Sequence, residues 1–169
     1  MGRALTRSEN HAETETVLRA LIEKLKPGVE STRVCICDNP NANRNLAQKV
    51  FGEAVAVKQD PFHVIQRFTE KVRELAKRKW LAGELSAAIY DIERNLRAPR
   101  DMEVRVQKVL ASISQSSVNV KEAEWKVCIA SNLEQIRRGD MYLSDNQYVD
   151  EGGSTRIIST SQLEAIHSK

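Results

Sequence analysis

The sequence predicts an α/β protein, mostly helical overall, in which a few parallel strands are flanked by helices. Two short apolar runs, at residues 33–37 and 54–58, are separated by a helical segment. This alternation is typical of parallel strands joined by a crossover helix. From Gly83 onward the strand pattern disappears, and apolar residues recur at helical spacing. The length of 169 residues is sufficient for one domain with a substantial core.

Composition narrows the class of protein. Charged residues make up 29% of the chain and hydrophobic residues 41%, as in ordinary soluble globular proteins. The net charge of +3 is too small to establish a nucleic-acid partner by itself. No stretch approaches the roughly 20 apolar residues of a membrane span, and the first residues lack the apolar core of a secretory signal. We therefore expect a nuclear or cytoplasmic protein with no membrane partner.

The chain contains 3 cysteines and no CxxC pattern, which argues against a structural zinc site. Cys35 and Cys37 alternate along a predicted strand, and this geometry makes a disulfide between them difficult. Buried free thiols in a reducing compartment are the expected outcome.

The first half of the chain is predicted to alternate helices with strands. A helix capped by Ser8 and stopped by Pro27 precedes the strand at residues 33–37, which is apolar throughout, as in a strand covered on both faces. Either Asp38 or Asn39 caps the next helix, whose first position suits Pro40. That helix ends at Gly52, and the second strand covers residues 54–58.

A long basic helix is predicted to follow, capped by Asp60 and extending to about residue 80. Its basic side chains are Arg67, Lys71, Arg73, Lys77, Arg78 and Lys79, against only Glu70 and Glu74. One interpretation is an ordinary solvated helix face. The other is a surface for a polyanion, because clustered Lys and Arg neutralise phosphates without reading sequence.

Further helices are predicted at residues 85–96, 102–113 and 125–136, the last closed by Gly139, with a polar break at 114–119. Two tryptophans, Trp80 and Trp125, are interpreted as core or interface anchors in preference to base-stacking platforms. A hairpin around Tyr148 and Arg156 and a final helix capped at residues 159–161 complete the predicted elements.

Three short sequence motifs resemble those of a known protein family. The run Cys35-Ile36-Cys37-Asp38 is a strand that ends on an acid, residues 51–57 read FGEAVAV before DPFH at 60–63, and residues 160–164 read TSQLE. In this order they resemble the second half of the RNase H-like catalytic domain of DDE-type transposases, in the Mutator-like or a related family. In such domains a strand ends on the second acid, helices are inserted, and a late helix carries the third acid.

The resemblance implies metal-dependent DNA cleavage and strand transfer. Such enzymes hold two divalent metals roughly 3.5 to 4 Å apart, through carboxylates because Mg²⁺ prefers hard oxygen ligands. Asp38 and Glu164 would be the catalytic acids and the ligands for Mg²⁺ or Mn²⁺, with Asp60 and His63 supporting them. The first acid of the triad belongs on a strand before the Ser8 helix, and the resemblance leads us to expect that this acid is absent from the chain. We therefore expect a catalytically incomplete site that binds metal weakly.

The acids and the histidine also have structural interpretations. Asp38 and Asp60 each precede a Pro-containing helix start and could serve only as helix caps. Glu164 could be a first-turn acid favoured by the helix dipole. His63 could pack between helix and sheet.

The resemblance also implies a division of the chain. Residues 1–80 would form a partial RNase H-like core, 81–139 a helical insertion, and 140–169 a hairpin with the start of the last core helix. Two strands alone make a poor sheet with an exposed edge, which predicts either self-association or a helix-dominated monomer.

Three functions remain open from the sequence. The first is a transposase-derived domain related to DNA cleavage and strand transfer. The second is a non-enzymatic DNA-binding or protein-interaction module that uses the basic helix at 61–80. The third is an unrelated small α/β binding protein in which Asp38 is only a cap.

Overall fold

The computed structural model describes residues 11–22, 34–143, 147–150 and 153–156. Helices dominate, and the strands are short, which agrees with the predicted α/β class. The helices are α1 His11–Ile22, α2 Pro40–Phe51, α3 Pro61–Thr69, α4 Leu75–Ile89, α5 Pro99–Ala111 and α6 Glu122–Arg137. The strands are β1 Val34–Cys37, β2 Ala56–Gln59, β3 Gln147–Asp150 and β4 Gly153–Arg156.

The chain divides into two compact units, Met1–Lys58 and Gln59–Lys169. The division after residues 80 and 139 that the sequence predicted stays a prediction. The structural boundary falls inside β2, whose last residue, Gln59, belongs to the second unit.

The first unit contains a small parallel sheet of β1 and β2, joined by α2, as the alternation of strands and helices predicts. The backbone N–H of Ala42 donates to Asn39 Oδ1 at 3.3 Å, so Asn39, not Asp38, caps α2. Helix α2 ends at Gly52, whose φ of 92° suits glycine. A small buried cluster of Ala47, Val55 and Val57 lies where the helix meets the sheet.

The larger of the two buried clusters formed by the described residues lies in the second unit. Helices α3 to α6 contact one another in chain order, as the helical spacing of apolar residues after Gly83 predicts. Their large side chains that are fully buried include Phe68, Leu81, Leu85, Ile89, Met102 and Ile136. Trp125 is buried and meets Phe68 edge to face, with ring centroids 5.9 Å apart, so its predicted core role is confirmed.

The single long helix predicted from Asp60 to residue 80 is wrong. Helix α3 ends at Thr69, and the chain turns before α4 begins at Leu75. A tertiary contact explains the break, because Val72 forms an antiparallel bridge with Val118. Both valines are fully buried, and this extended pairing is incompatible with a continuous helix. Packing here overrides local helix propensity.

The helix predicted at residues 85–96 is also wrong, since α4 ends at Ile89. The Asp91 carboxylate accepts hydrogen bonds from the backbone N–H of Glu93 at 2.9 Å and of Asn95 at 2.8 Å. An aspartate that bonds nearby backbone in this way stabilises a turn at the expense of a helix. A bridge between Tyr90 and Leu96 closes the turn.

The hairpin near the end of the chain is confirmed with a shifted second strand. Strands β3 and β4 pair antiparallel, with Gln147 opposite Arg156 and Asp150 opposite Gly153. The second strand therefore begins earlier than the predicted run at Arg156. The Ser8 cap and the predicted final helix with Glu164 lie outside the described residues.

Candidate nucleic-acid interface

The basic residues predicted to share one helix face are separated by the turn between α3 and α4. Arg67 lies on α3, Lys71 and Arg73 lie in the turn, and Lys77, Arg78 and Lys79 lie in the first turns of α4. These cations fall into two groups. In the first, contacts within the protein bury or neutralise the charge; in the second, the charge remains at the surface.

Arg67 belongs to a half-buried polar network between α3 and α6. Its guanidinium Nη1 donates to Asn132 Oδ1 at 3.3 Å and to Gln135 Oε1 at 3.4 Å. The side-chain amide of Gln59, which is also buried, turns its oxygen to Arg67 Nη1 at 2.5 Å and its nitrogen to Gln135 Oε1. Arg67 therefore links α3 to α6, and these contacts supply the hydrogen-bond partners that buried polar groups require.

Lys71 is neutralised within the protein. Its Nζ lies 2.9 Å from Glu124 Oε1 on α6, and the hydrogen bond to this carboxylate raises the pKa of Lys71. A phosphate would have to compete with Glu124 for the lysine. Lys71 therefore contributes little net positive charge to the surface.

Arg73, Lys77 and Arg78 hydrogen-bond to neutral oxygen atoms. Arg73 Nε donates to the carbonyl of Val118 at 2.7 Å, and Lys77 Nζ donates to Ser117 Oγ at 2.6 Å. Arg78 Nε donates to the carbonyl of Val72 at 2.5 Å. A neutral acceptor restrains each side chain without cancelling its charge. Each cation also keeps further N–H groups that can donate to an anion.

Lys79 completes this group of cations. Its side chain is exposed and has no hydrogen-bond or salt-bridge partner among the residues that the structure describes. We call Arg73, Lys77, Arg78 and Lys79 the cationic turn. Glu74 is the acid within this segment of sequence, so the cationic turn carries a clear excess of positive charge.

The predicted catalytic acids are Asp38 and Glu164. Asp38 is exposed in the bend after β1, in the first unit, whereas Glu164 lies outside the described residues. Across the described ranges, no group of three His, Cys, Asp or Glu residues is placed to hold a metal ion. Binding of Mg²⁺ or Mn²⁺ by Asp38 and Glu164 therefore stays a prediction.

Asp60 is a buried helix cap. Its side chain is 0% exposed, and Oδ1 accepts from the backbone N–H of Phe62 at 2.9 Å, at the start of α3. Tyr90 is buried nearby: burial raises its pKa, and the charge of Asp60 raises it further. Asp60 therefore has the structural role that its position before Pro61 predicts.

His63 lies in the first turn of α3 and is partly buried. Its Nδ1 is 3.2 Å from Gln66 Oε1, and its ring meets Phe62 edge to face with centroids 5.3 Å apart. These contacts fit the packing role that the sequence left open for His63.

The cysteines are free thiols within the described residues, and all three are partly buried. Burial raises the pKa of Cys35 and Cys128, and it raises the pKa of Cys37 to about 11. A raised pKa keeps the nucleophilic thiolate scarce at neutral pH, so these thiols are unsuited to nucleophilic chemistry.

Sequence reasoning missed the polar network around Arg67. Asn132 is 4% exposed and lies on the same helix face as the apolar residues Cys128, Ile129 and Leu133. An amide within an apolar helical stripe requires a buried partner, and this was the available signal. The neutral partners of the cationic turn had no such signal, because Ser117 and Val118 are distant in sequence.

Comparison with known proteins finds no matching family model, curated protein or solved structure. The resemblance to DDE-type transposases therefore rests on the three short sequence motifs alone. None of the described helices has the length and apolar character needed to cross a membrane.

Proposed function

We propose that the second unit is a non-enzymatic nucleic-acid-binding module that contacts the phosphate backbone through the cationic turn. The observation that carries this proposal is that Arg73, Lys77 and Arg78 hydrogen-bond to neutral oxygens. Their full charge stays available, unlike that of Lys71, which is paired with Glu124.

Restraint of these side chains favours binding. A free lysine or arginine loses rotamer entropy when it is fixed on a phosphate. Lys77 is already held by Ser117, and Arg73 by Val118, so part of that loss occurs on folding. Phosphate contacts of this kind position a nucleic acid without reading its sequence.

The resemblance to transposases favours DNA as the nucleic acid. We keep as proposals a transposase-derived, RNase H-like origin and a link to DNA cleavage and strand transfer. Self-association of the chain also stays a prediction. The cationic turn supports none of these directly, and the proposed binding does not depend on them.

The test is salt-dependent binding of a labelled DNA duplex and a labelled single strand. The double variant Lys77→Gln with Lys79→Gln removes two lysines that we propose to bind phosphate. The slope of log affinity against log salt should become shallower by about 0.7 to 0.9 for each phosphate that is no longer neutralised.

A matched control removes the same charge elsewhere. Lys49 is paired with Glu15 at 2.7 Å, and Lys126 is paired with Glu122 at 2.6 Å. Lys49→Gln with Lys126→Gln should leave the salt slope unchanged. An equal decrease of affinity in both double variants would mean that only net charge matters, and the cationic turn would have no special role.

A second variant tests the restraint separately from the charge. Ser117→Ala removes the hydroxyl that holds Lys77 and leaves the net charge unaltered. We expect weaker binding with the same salt slope, since Lys77 can still reach a phosphate but must be ordered first. Unchanged affinity would show that the restraint contributes nothing.

A further inference from the structure

Of the two roles predicted for Trp80, core anchor or interface anchor, its position at the surface excludes the first. Its side chain is 45% exposed, whereas Trp125 is 5% exposed. Trp80 directly follows Lys79 of the cationic turn and lies on α4 with Glu84 and Ala87 at helical spacing. A large exposed indole on a protein surface favours a contact with a partner.

The exposed indole borders a groove between α4 and α5. The groove has a volume of about 330 Å³ and is lined from α4 by Trp80, Glu84 and Ala87 and from α5 by Arg105 and Lys108. This volume lies at the lower end of the range for small-ligand sites. The groove therefore has space for a flat group beside the indole.

The charges around the groove favour an anionic chain. Lys108 is exposed and has no partner among the residues that the structure describes. Arg105 Nε lies 2.7 Å from Asp101 Oδ1, and Arg97 Nη1 lies 3.5 Å from Asp101 Oδ2. One carboxylate is therefore paired with two arginines and cannot neutralise both. Counting Glu84 as negative, the positive charge still exceeds the negative charge around the indole.

We propose that this groove accepts an unpaired nucleobase stacked on Trp80, with neighbouring phosphates on Lys79 and Lys108. The combination of an exposed aromatic ring with flanking cations is the arrangement by which proteins bind single strands. In a duplex the bases are stacked on one another and cannot reach the indole. The proposal deepens the proposed function, on which it rests, by naming single-stranded nucleic acid as the preferred ligand.

The experiment compares an unstructured single strand with the same strand annealed to its complement, at one salt concentration. The variants are Trp80→Ala, which removes the ring, and Trp80→Phe, which keeps an aromatic face. Ile92→Ala is the matched control, because Ile92 is 98% exposed and lies outside the groove lining. Tryptophan fluorescence supplies a second readout, since base stacking should quench Trp80 and leave buried Trp125 unaffected.

We expect the wild type to bind the single strand more tightly than the duplex. Trp80→Ala should weaken single-strand binding roughly tenfold or more and leave duplex binding unchanged, while Trp80→Phe should retain most of the affinity. The fluorescence quench should disappear in both Trp80 variants and persist in Ile92→Ala.

Two outcomes separate the proposals. Wild-type binding to both ligands with no quench, and no decrease of affinity in Trp80→Ala, would overturn the stacking proposal and leave the cationic turn in place. Absence of binding to either ligand at low salt would overturn the proposed function itself. Because the Trp80 side chain is 45% exposed and lies outside the buried core, Trp80→Ala should remain folded, with a urea midpoint close to that of the wild type. A decrease of affinity that tracked a decrease of stability would count against stacking.

Discussion

Asp38 and Asp60 show how similar local sequences acquire different roles. Each acid follows a short strand and comes shortly before a proline that begins a helix. Asp38 is exposed, and its neighbour Asn39 provides the cap of α2. Asp60 is fully buried and caps α3 itself. Burial, which neighbouring residues in the sequence do not determine, distinguishes the exposed Asp38 from the buried helix cap Asp60.

The cap at Asp60 is directly testable. Asp60→Ala leaves the backbone N–H of Phe62 without its acceptor and should lower the free energy of unfolding by about 1 to 2 kcal/mol. Urea denaturation followed by tryptophan fluorescence measures the change, since Trp80 and Trp125 both lie in the second unit. Asp60→Asn keeps an acceptor oxygen and should recover most of this stability. If Asp60→Asn were as destabilising as Asp60→Ala, the charge and not the cap would be the stabilising feature.

At the scale of elements, the turn between α3 and α4 is fixed by a distant segment. Arg73 N–H donates to the carbonyl of Ser117 at 2.8 Å, and Asn119 N–H donates to the carbonyl of Lys71 at 2.8 Å. These bonds flank the bridge between the buried valines Val72 and Val118. The same pairing that interrupts the helix positions the cationic turn.

The bridge predicts a specific decrease of stability on polar substitution. Val118→Thr keeps the shape of the side chain but buries a hydroxyl at a site that is 0% exposed. An unsatisfied buried hydroxyl costs about 1 to 3 kcal/mol. Val127→Thr, at a site 67% exposed on α6, is the matched control and should change stability by less than about 0.5 kcal/mol. The urea midpoints of the two variants measure the two changes in stability. Equal midpoints would contradict the role assigned to the bridge.

For the molecule as a whole, the buried clusters of the two units differ in size among the residues that the structure describes. The buried cluster of the first unit centres on Ala47, Val55 and Val57. The cluster of the second unit includes Phe68, Trp125 and many large aliphatic side chains from α3 to α6. Burial of apolar area is the main stabilising term in folding, so the second unit should be the more stable of the two.

Hydrogen exchange can measure this difference. We expect the backbone amides of β1 and β2 to exchange faster than those in the middle of α4 and α6, because the free energy of opening should be lower for the two strands. Elements with few buried apolar neighbours open at lower cost. Mass spectrometry of peptides from residues 34–58 and 81–136 would give the two rates. Equal protection in both sets would show that the two units unfold as one cooperative body.

The sequence predicted the parts of this molecule that depend on local pattern. The position of Pro40 and Gly52 predicted both ends of α2, and Asp60 before Pro61 predicted a helix start. The break after Thr69 was not predictable, because it depends on Val118. For the candidate site, the sequence shows the clustering of the basic residues, and their role in binding stays a prediction. Which of them keep their charge depends on partners such as Glu124 and Ser117, which only the folded chain brings near.

The bridge also has a consequence for the order of folding. Arg73 and Val118 are 45 residues apart in sequence, and closing so long a loop costs chain entropy before any stabilising interaction forms. Helices α4 and α5 lie within that loop and contact each other, so their pairing shortens the distance still to be closed. We therefore expect the helical hairpin to form first and the cationic turn to take its geometry late. A partly folded chain would carry the same charges without the arrangement that binding requires.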